Sequence, residues 1–344
     1  MRGCGCCHSV KTTPVLLFHG LLLTSDSWLD AGPESGLPYL LSRSCYDVWL
    51  GNQRGSYRGR RHINLNSDMD MAFWNFYADE IGRYDIPATV DYILKATRTD
   101  LLNYIGYSQG GTAFLIMCSE KPEYKHKIGF SLLLAPASRA KYIRSEVFKI
   151  LCTGVKELET HLYKSGIYEI MTKDGFGRVV ASLCKDTYAA ETICGDALGL
   201  LDGYPIKSMS ARTLRVMFNN FPSGTSVRNL VWYGQLVTNG TFRKFNYGDE
   251  ENVRRYGTIL PPTYNVSAVT VPTIVMYGKS DSLVDSRDIK WLVDRLPNLI
   301  ECVEVNDPRW NHLDFAYSRH IRRTIFSTID QFLRYYDRGQ GTEN

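Results

Sequence analysis

The stretch Leu101–Gly111, LLNYIGYSQGG, constrains this chain more than any other. An apolar run of branched and aromatic residues stops at Gly106. Ser108 then sits between two glycines, and Thr112–Cys118 continues with helical apolar spacing. Strand, sharp turn and helix in that order is the setting in which G-x-S-x-G carries chemistry. The turn forces the serine into a strained backbone conformation and lifts its hydroxyl above the sheet edge. Gly106 and Gly110 are small because the strand and helix backbones pass close to the serine on either side. The competing reading, a strand–glycine–helix joint with an incidental serine, is disfavoured by the presence of both flanking elements.

The rest of the chain repeats the rhythm. Pro14–Phe18 (PVLLF), Tyr46–Leu50 (YDVWL), Phe130–Ala135 (FSLLLA), Thr273–Tyr277 (TIVMY) and Ile300–Val305 (IECVEV) read as short buried strands. Between them, Tyr39–Leu41 belongs to a helix. Phe76–Lys95 is helical in spacing, with Asp85 as the cap expected ahead of Pro87. Apolar strands alternating with helices predict an α/β fold with a mostly parallel sheet covered on both faces. From about Lys141 to Pro262 the alternation gives way to helical patterns such as Val227–Val237, which follows a Pro222–Ser226 turn and cap. A helical insertion there would lie over the carboxyl ends of the strands, where open α/β sheets place their sites. The predicted division is a disordered leader over 1–13, a core over 14–140 and 263–336, a cap or lid over 141–262, and a tail over 337–344.

Composition narrows the function classes. A net charge of +4 over 344 residues provides no concentrated basic face and argues against nucleic acid as a partner. The one basic cluster, Arg54, Arg58, Arg60, Arg61 and His62, reads as a loop of structural ion pairs. No apolar run reaches the roughly 18 residues of a membrane-spanning helix, so no transmembrane segment is expected. Met1–Lys11 lacks the apolar core of a signal peptide. Asn239-Gly-Thr241 and Asn265-Val-Ser267 are N-glycosylation acceptors. Of nine cysteines, Cys4, Cys6 and Cys7 beside His8 resemble a metal cluster only superficially, with no second pair at zinc-like spacing. Neither metal nor cofactor is expected. Cys45, Cys118, Cys152 and Cys302 fall in or beside apolar runs and read as buried thiols.

A serine hydroxyl needs a base to take its proton, and the base needs a third group to orient it. On an elbow of this kind the partners follow in the order serine, acid, histidine. Only His312 and His320 come late enough. His320 falls in the terminal helical stretch Ala316–Leu333, whereas His312 lies in the loop after the last strand, at the sheet's carboxyl end. For the acid, Asp281 follows Thr273–Tyr277 directly. Asp285 is the alternative, four residues on and better placed to cap a helix beginning near Ser286, and Asp314 is too close to His312 in sequence to orient it. The oxyanion donors expected are the backbone N–H groups of Gln109 and Leu21, with His19 shaping the loop that carries Leu21.

The segments HGLLLTSDSW, YDVWLGNQRG, YDIPATVDYI, YSQGG, GTSVRN, YNVSAV and LPNLIECVEV with NHLDF resemble the acid lipase family, which includes gastric and lysosomal acid lipases. The resemblance runs from about Pro14 to Leu333. It implies an α/β-hydrolase fold, a cap over the site, and hydrolysis of triacylglycerols or cholesteryl esters at a lipid–water interface. It carries over Ser108, Asp281 and His312 as the triad and Leu21 and Gln109 as oxyanion donors. It further implies a secreted or lysosomal glycoprotein with a cap disulfide matching Cys184 and Cys194. Tyr107 departs from the histidine usual at that place. The family's N-terminal segment, with a signal peptide and two strands, has no counterpart here, so YDVWL is expected at a sheet edge and the chain is expected to associate. Two readings compete with an active lipase: a non-catalytic lipid-binding relative, and an inactive truncated product. The intact Ser, Asp and His set argues against the first.

Overall fold

The computed structural model describes residues 13–203 and 208–339. Six strands, β1 (Val15–Phe18), β2 (Val48–Gly51), β3 (Leu102–Tyr107), β4 (Ile128–Leu134), β5 (Thr273–Tyr277) and β6 (Leu299–Glu304), form one parallel sheet in the order β2-β1-β3-β4-β5-β6. Every residue of β1 and β3 is buried. Successive side chains point to opposite faces, so helices must cover both sides, and this is why the strands read as unbroken apolar runs. β2 and β6 are the edges among the described residues and are correspondingly more exposed.

Register brings the loops together. Phe18 pairs with Gly106, so the His19-Gly20 loop emerges beside Ser108. Leu134 pairs with Met276, and Tyr277 with Glu304, which sets the loops after β5 and β6 on the same rim. Glycines fix the approach: a Cβ on Gly110 would lie 2.2 Å from the Phe18 carbonyl oxygen, and one on Gly278 2.3 Å from that of Trp310.

Between β4 and β5 the chain is mainly helical. The helices Glu146–Lys164 and Val227–Asn239 pack so closely that a Cβ on Gly234 would stand 2.5 Å from the Cys152 carbonyl oxygen. Ser226 caps the second of these by accepting the Asn229 N–H. Cys184 and Cys194 are joined by a disulfide, with Cα atoms 6.0 Å apart.

Some expectations change. Asp85 does not cap a helix: the chain is helical on both sides of it, and its carboxylate accepts the Arg54 N–H and guanidinium. Arg58 pairs with Asp26, and Arg60 with Asp68 and Glu169, so this loop is indeed laced with ion pairs. Cys45 is disulfide-bonded rather than a free thiol, and Cys302 is exposed on edge strand β6; Cys118 and Cys152 are buried thiols. Thr13 is held, not loose: its N–H and hydroxyl both donate to Asp337, within a last helix that runs to Gly339. The Cys4, Cys6, Cys7 and His8 group lies outside the described residues.

Candidate active site

Ser108 stands between β3 and the helix Gln109–Glu120 with φ 52° and ψ −118°, a strained conformation for a non-glycine residue. The Ser108 N–H donates to the Leu134 carbonyl and its own carbonyl accepts the Thr112 N–H, so β4 and the helix both hold the strain. Gly20 faces it directly; a Cβ there would lie 3.0 Å from the Ser108 Cβ.

His312 and Asp281 are buried together, with His312 Nδ1 2.8 Å from Asp281 Oδ2. The other carboxylate oxygen, Oδ1, accepts the N–H groups of Leu283 and Val284 at 2.9 and 2.7 Å, which fixes the carboxylate plane. Asp285, the alternative acid, accepts the Arg287 N–H and caps the helix Ser286–Val293. Asp314 accepts the Asn311 N–H and the Ser208 hydroxyl, and burial pushes its carboxyl up to about 6. His320 lies in the turn before the last helical segment and does not line the cavity that holds Ser108 and His312.

Ser108, His312 and Leu21 line one cavity of about 270 Å³. Its remaining wall is overwhelmingly apolar and comes largely from the insertion, including Ile143, Phe148, Leu151, Leu198 and Phe218. Gln109 opens its helix, so its backbone N–H has no partner within that helix and points out at the N-terminal end.

A buried amide relay that sequence reasoning missed ends on Gly20, which lines the cavity. Asn229 Nδ2 donates to Gln109 Oε1 at 2.9 Å, Gln109 Nε2 to Gln53 Oε1 at 2.8 Å, and Gln53 Nε2 to the Gly20 carbonyl at 3.1 Å. His19 completes it. Nδ1 lies 2.9 Å from the Gly20 carbonyl and Nε2 accepts the Gln53 N–H, so the ring is a neutral Nδ1–H tautomer, and burial lowers its pKa to about 4. Thus His19 shapes the loop, as its position suggested. Gln53 and Asn229 lie in YDVWLGNQRG and GTSVRN, two of the segments that carried the resemblance, which was the signal available for them.

A family model described as the alpha/beta hydrolase fold matches residues 13–128. Human gastric triacylglycerol lipase is 34% identical over 316 residues, covering 92% of this chain and 78% of that protein. The chain belongs to the acid lipase family. Mouse lipase member K is 33% identical over 95% of this chain and 81% of its own length; for Drosophila melanogaster lipase 1 the values are 33%, 93% and 71%. A lipase-family chain of this similarity is a carboxylic ester hydrolase acting on lipid esters. Two solved structures share the fold at 15% identity. They are a putative lipase from Sulfolobus solfataricus, with a TM-score of 0.60 over 94% of this chain and 86% of that one, and a soluble variant of monoglyceride lipase from Saccharomyces cerevisiae, with 0.56 over 96% and 89%.

Proposed function

We propose that this lipase-family chain hydrolyses neutral lipid esters, triacylglycerol or cholesteryl ester, at a lipid–water interface, through Ser108, His312 and Asp281. The observation that carries the reading is that His312, held by the buried Asp281, lines one apolar cavity together with Ser108. His312 Nδ1 is engaged by Asp281, so Nε2 is the nitrogen free to take the Ser108 proton. The Ser108 oxygen adds to the ester carbonyl, and the backbone N–H groups of Leu21 and Gln109 receive the oxyanion. Collapse passes the proton from His312 to the departing alcohol and leaves an acyl-serine. Water, deprotonated by His312, then releases the fatty acid and restores the hydroxyl.

The insertion supports the interface part of the reading: Val179, Leu183, Tyr188, Ile193 and Leu200 all expose apolar side chains on it. The residues over 141–262 act as its cap. Asn239 and Asn265 are both exposed and are proposed as glycosylation sites of a secreted or lysosomal protein.

Turnover of emulsified triolein and cholesteryl oleate from pH 4 to 8, beside Ser108→Ala, tests this. The wild type hydrolyses at least one emulsion and the variant loses on the order of 10³-fold or more, because the oxyanion donors alone supply only part of the acceleration. Near-native turnover by Ser108→Ala contradicts the reading.

A further inference from the structure

The peptide bond between His312 and Leu313 is held by both of its polar atoms. From the sheet, the Tyr107 hydroxyl donates to the His312 carbonyl oxygen at 3.0 Å. From the insertion, Asp202 Oδ2 accepts the Leu313 N–H at 2.7 Å. Tyr107 immediately precedes Ser108, and its buried ring lies 5.1 Å from the His312 ring and 5.9 Å from Trp28. Asp202 is the last residue of the helix Gly195–Asp202 and is fully buried. Gly203, which follows, is packed on the loop that carries the acid; a Cβ there would stand 2.8 Å from Ser282 Oγ.

We propose that Tyr107 and Asp202 are positioning residues that clamp the His312–Leu313 peptide from opposite sides, so that the imidazole is aligned on Ser108 only while the insertion helix Gly195–Asp202 is docked. The inference rests on the assignment of His312 as the base. Asp202 adds no net charge beside Asp281 at acid pH: burial, reinforced by Asp281, holds its carboxyl well above the usual range, and a neutral carboxyl still accepts an N–H. Burial likewise keeps the Tyr107 phenol protonated and able to donate. The two grips reach the base from different parts of the chain. Tyr107 ties it to the nucleophile's own strand, and Asp202 ties it to the segment that walls the cavity.

The test uses the full chain and a soluble ester, p-nitrophenyl butyrate, whose access does not depend on an emulsion. Tyr107→Phe keeps the ring and its packing and removes only the donor. It should lower kcat about 10- to 100-fold, the scale of a misplaced catalytic group, while KM and the melting temperature stay close to wild type. Asp202→Ala should do the same, and Asp202→Asn, which retains an acceptor for the Leu313 N–H, should recover to within about threefold of wild type. The double variant Tyr107→Phe/Asp202→Ala should lose less than the product of the single losses, because both act on one peptide. Wild-type kcat in Tyr107→Phe overturns the clamp even if the Asp202→Ala protein fails to fold. So does an Asp202→Asn protein that folds but is as slow as the alanine variant. A Ser108→Ala control separates the two levels: silent, it leaves the triad standing whatever happens to the clamp; active, it removes the triad reading itself.

Discussion

At the residue scale, several buried side chains of the site use their hydrogen bonds to orient backbone. His19 illustrates this. Its neutral ring bridges the Gly20 carbonyl and the Gln53 N–H, and protonating it would place a cation in a fully buried pocket. The folded ring titrates near 4 and the unfolded one near 6.5. Between these pH values the unfolded chain binds more protons than the folded one, so this group's contribution to stability falls as pH falls, by up to about 3 kcal/mol. Denaturant unfolding of wild type and His19→Gln at pH 7 and pH 4 should show the stability difference shifting against the wild type by that order on acidification. A difference that does not change with pH would mean the ring charges freely. That Ser108 and His312 would share one cavity with Asp281 beside the imidazole, and that Asp285 would cap a helix, was legible because motif order and strand ends limit where such groups can sit. Tyr107 and Asp202 were not, because a hydroxyl or a carboxyl that grips a peptide 100 or more residues away leaves no periodic trace.

At the element scale, the insertion walls the cavity and also hydrogen-bonds to the loops around it. Asn229 begins the relay to the Gly20 carbonyl, and the Arg144 guanidinium donates to the Asp281 carbonyl at 2.6 Å. The Ser282 carbonyl accepts the N–H groups of Arg144 and Ser145, where the insertion's first long helix starts. The existence of this insertion followed from the loss of strand–helix alternation. Its docking did not, since no local pattern states which helix end meets which loop. The disulfide between Cys184 and Cys194, ten residues apart, closes a short loop within it. In the chain-entropy account this is worth roughly 2–3 kcal/mol to the folded insertion. Replacing both cysteines by serine should therefore raise hydrogen exchange across Arg178–Asp202 and lower emulsion hydrolysis, while exchange in β1, β3 and β4 stays slow. Unaltered exchange in the insertion would show that packing alone holds it.

At the scale of the whole molecule, six parallel strands bring loops separated by nearly 300 residues to one rim, and the apolar cavity lies between that rim and the insertion. Sheet class and strand positions were readable because parallel strands covered on both faces leave unbroken apolar runs, but the edge strands β2 and β6, read as buried, are half-buried or exposed because a neighbour covers only one side of each. Helix boundaries were less so: Asp85 looks like a cap in sequence, but the ion pair with Arg54 claims its carboxylate. The proposed chemistry turns on Ser108 as the nucleophile and His312 as its base. The most direct measurement is reaction of the full chain with diethyl p-nitrophenyl phosphate, followed by peptide mapping by mass spectrometry. One inactivating adduct is expected, on Ser108, formed on the order of 10³-fold more slowly in His312→Ala. Inactivation with Ser108 unmodified, or an undiminished rate in His312→Ala, would contradict it.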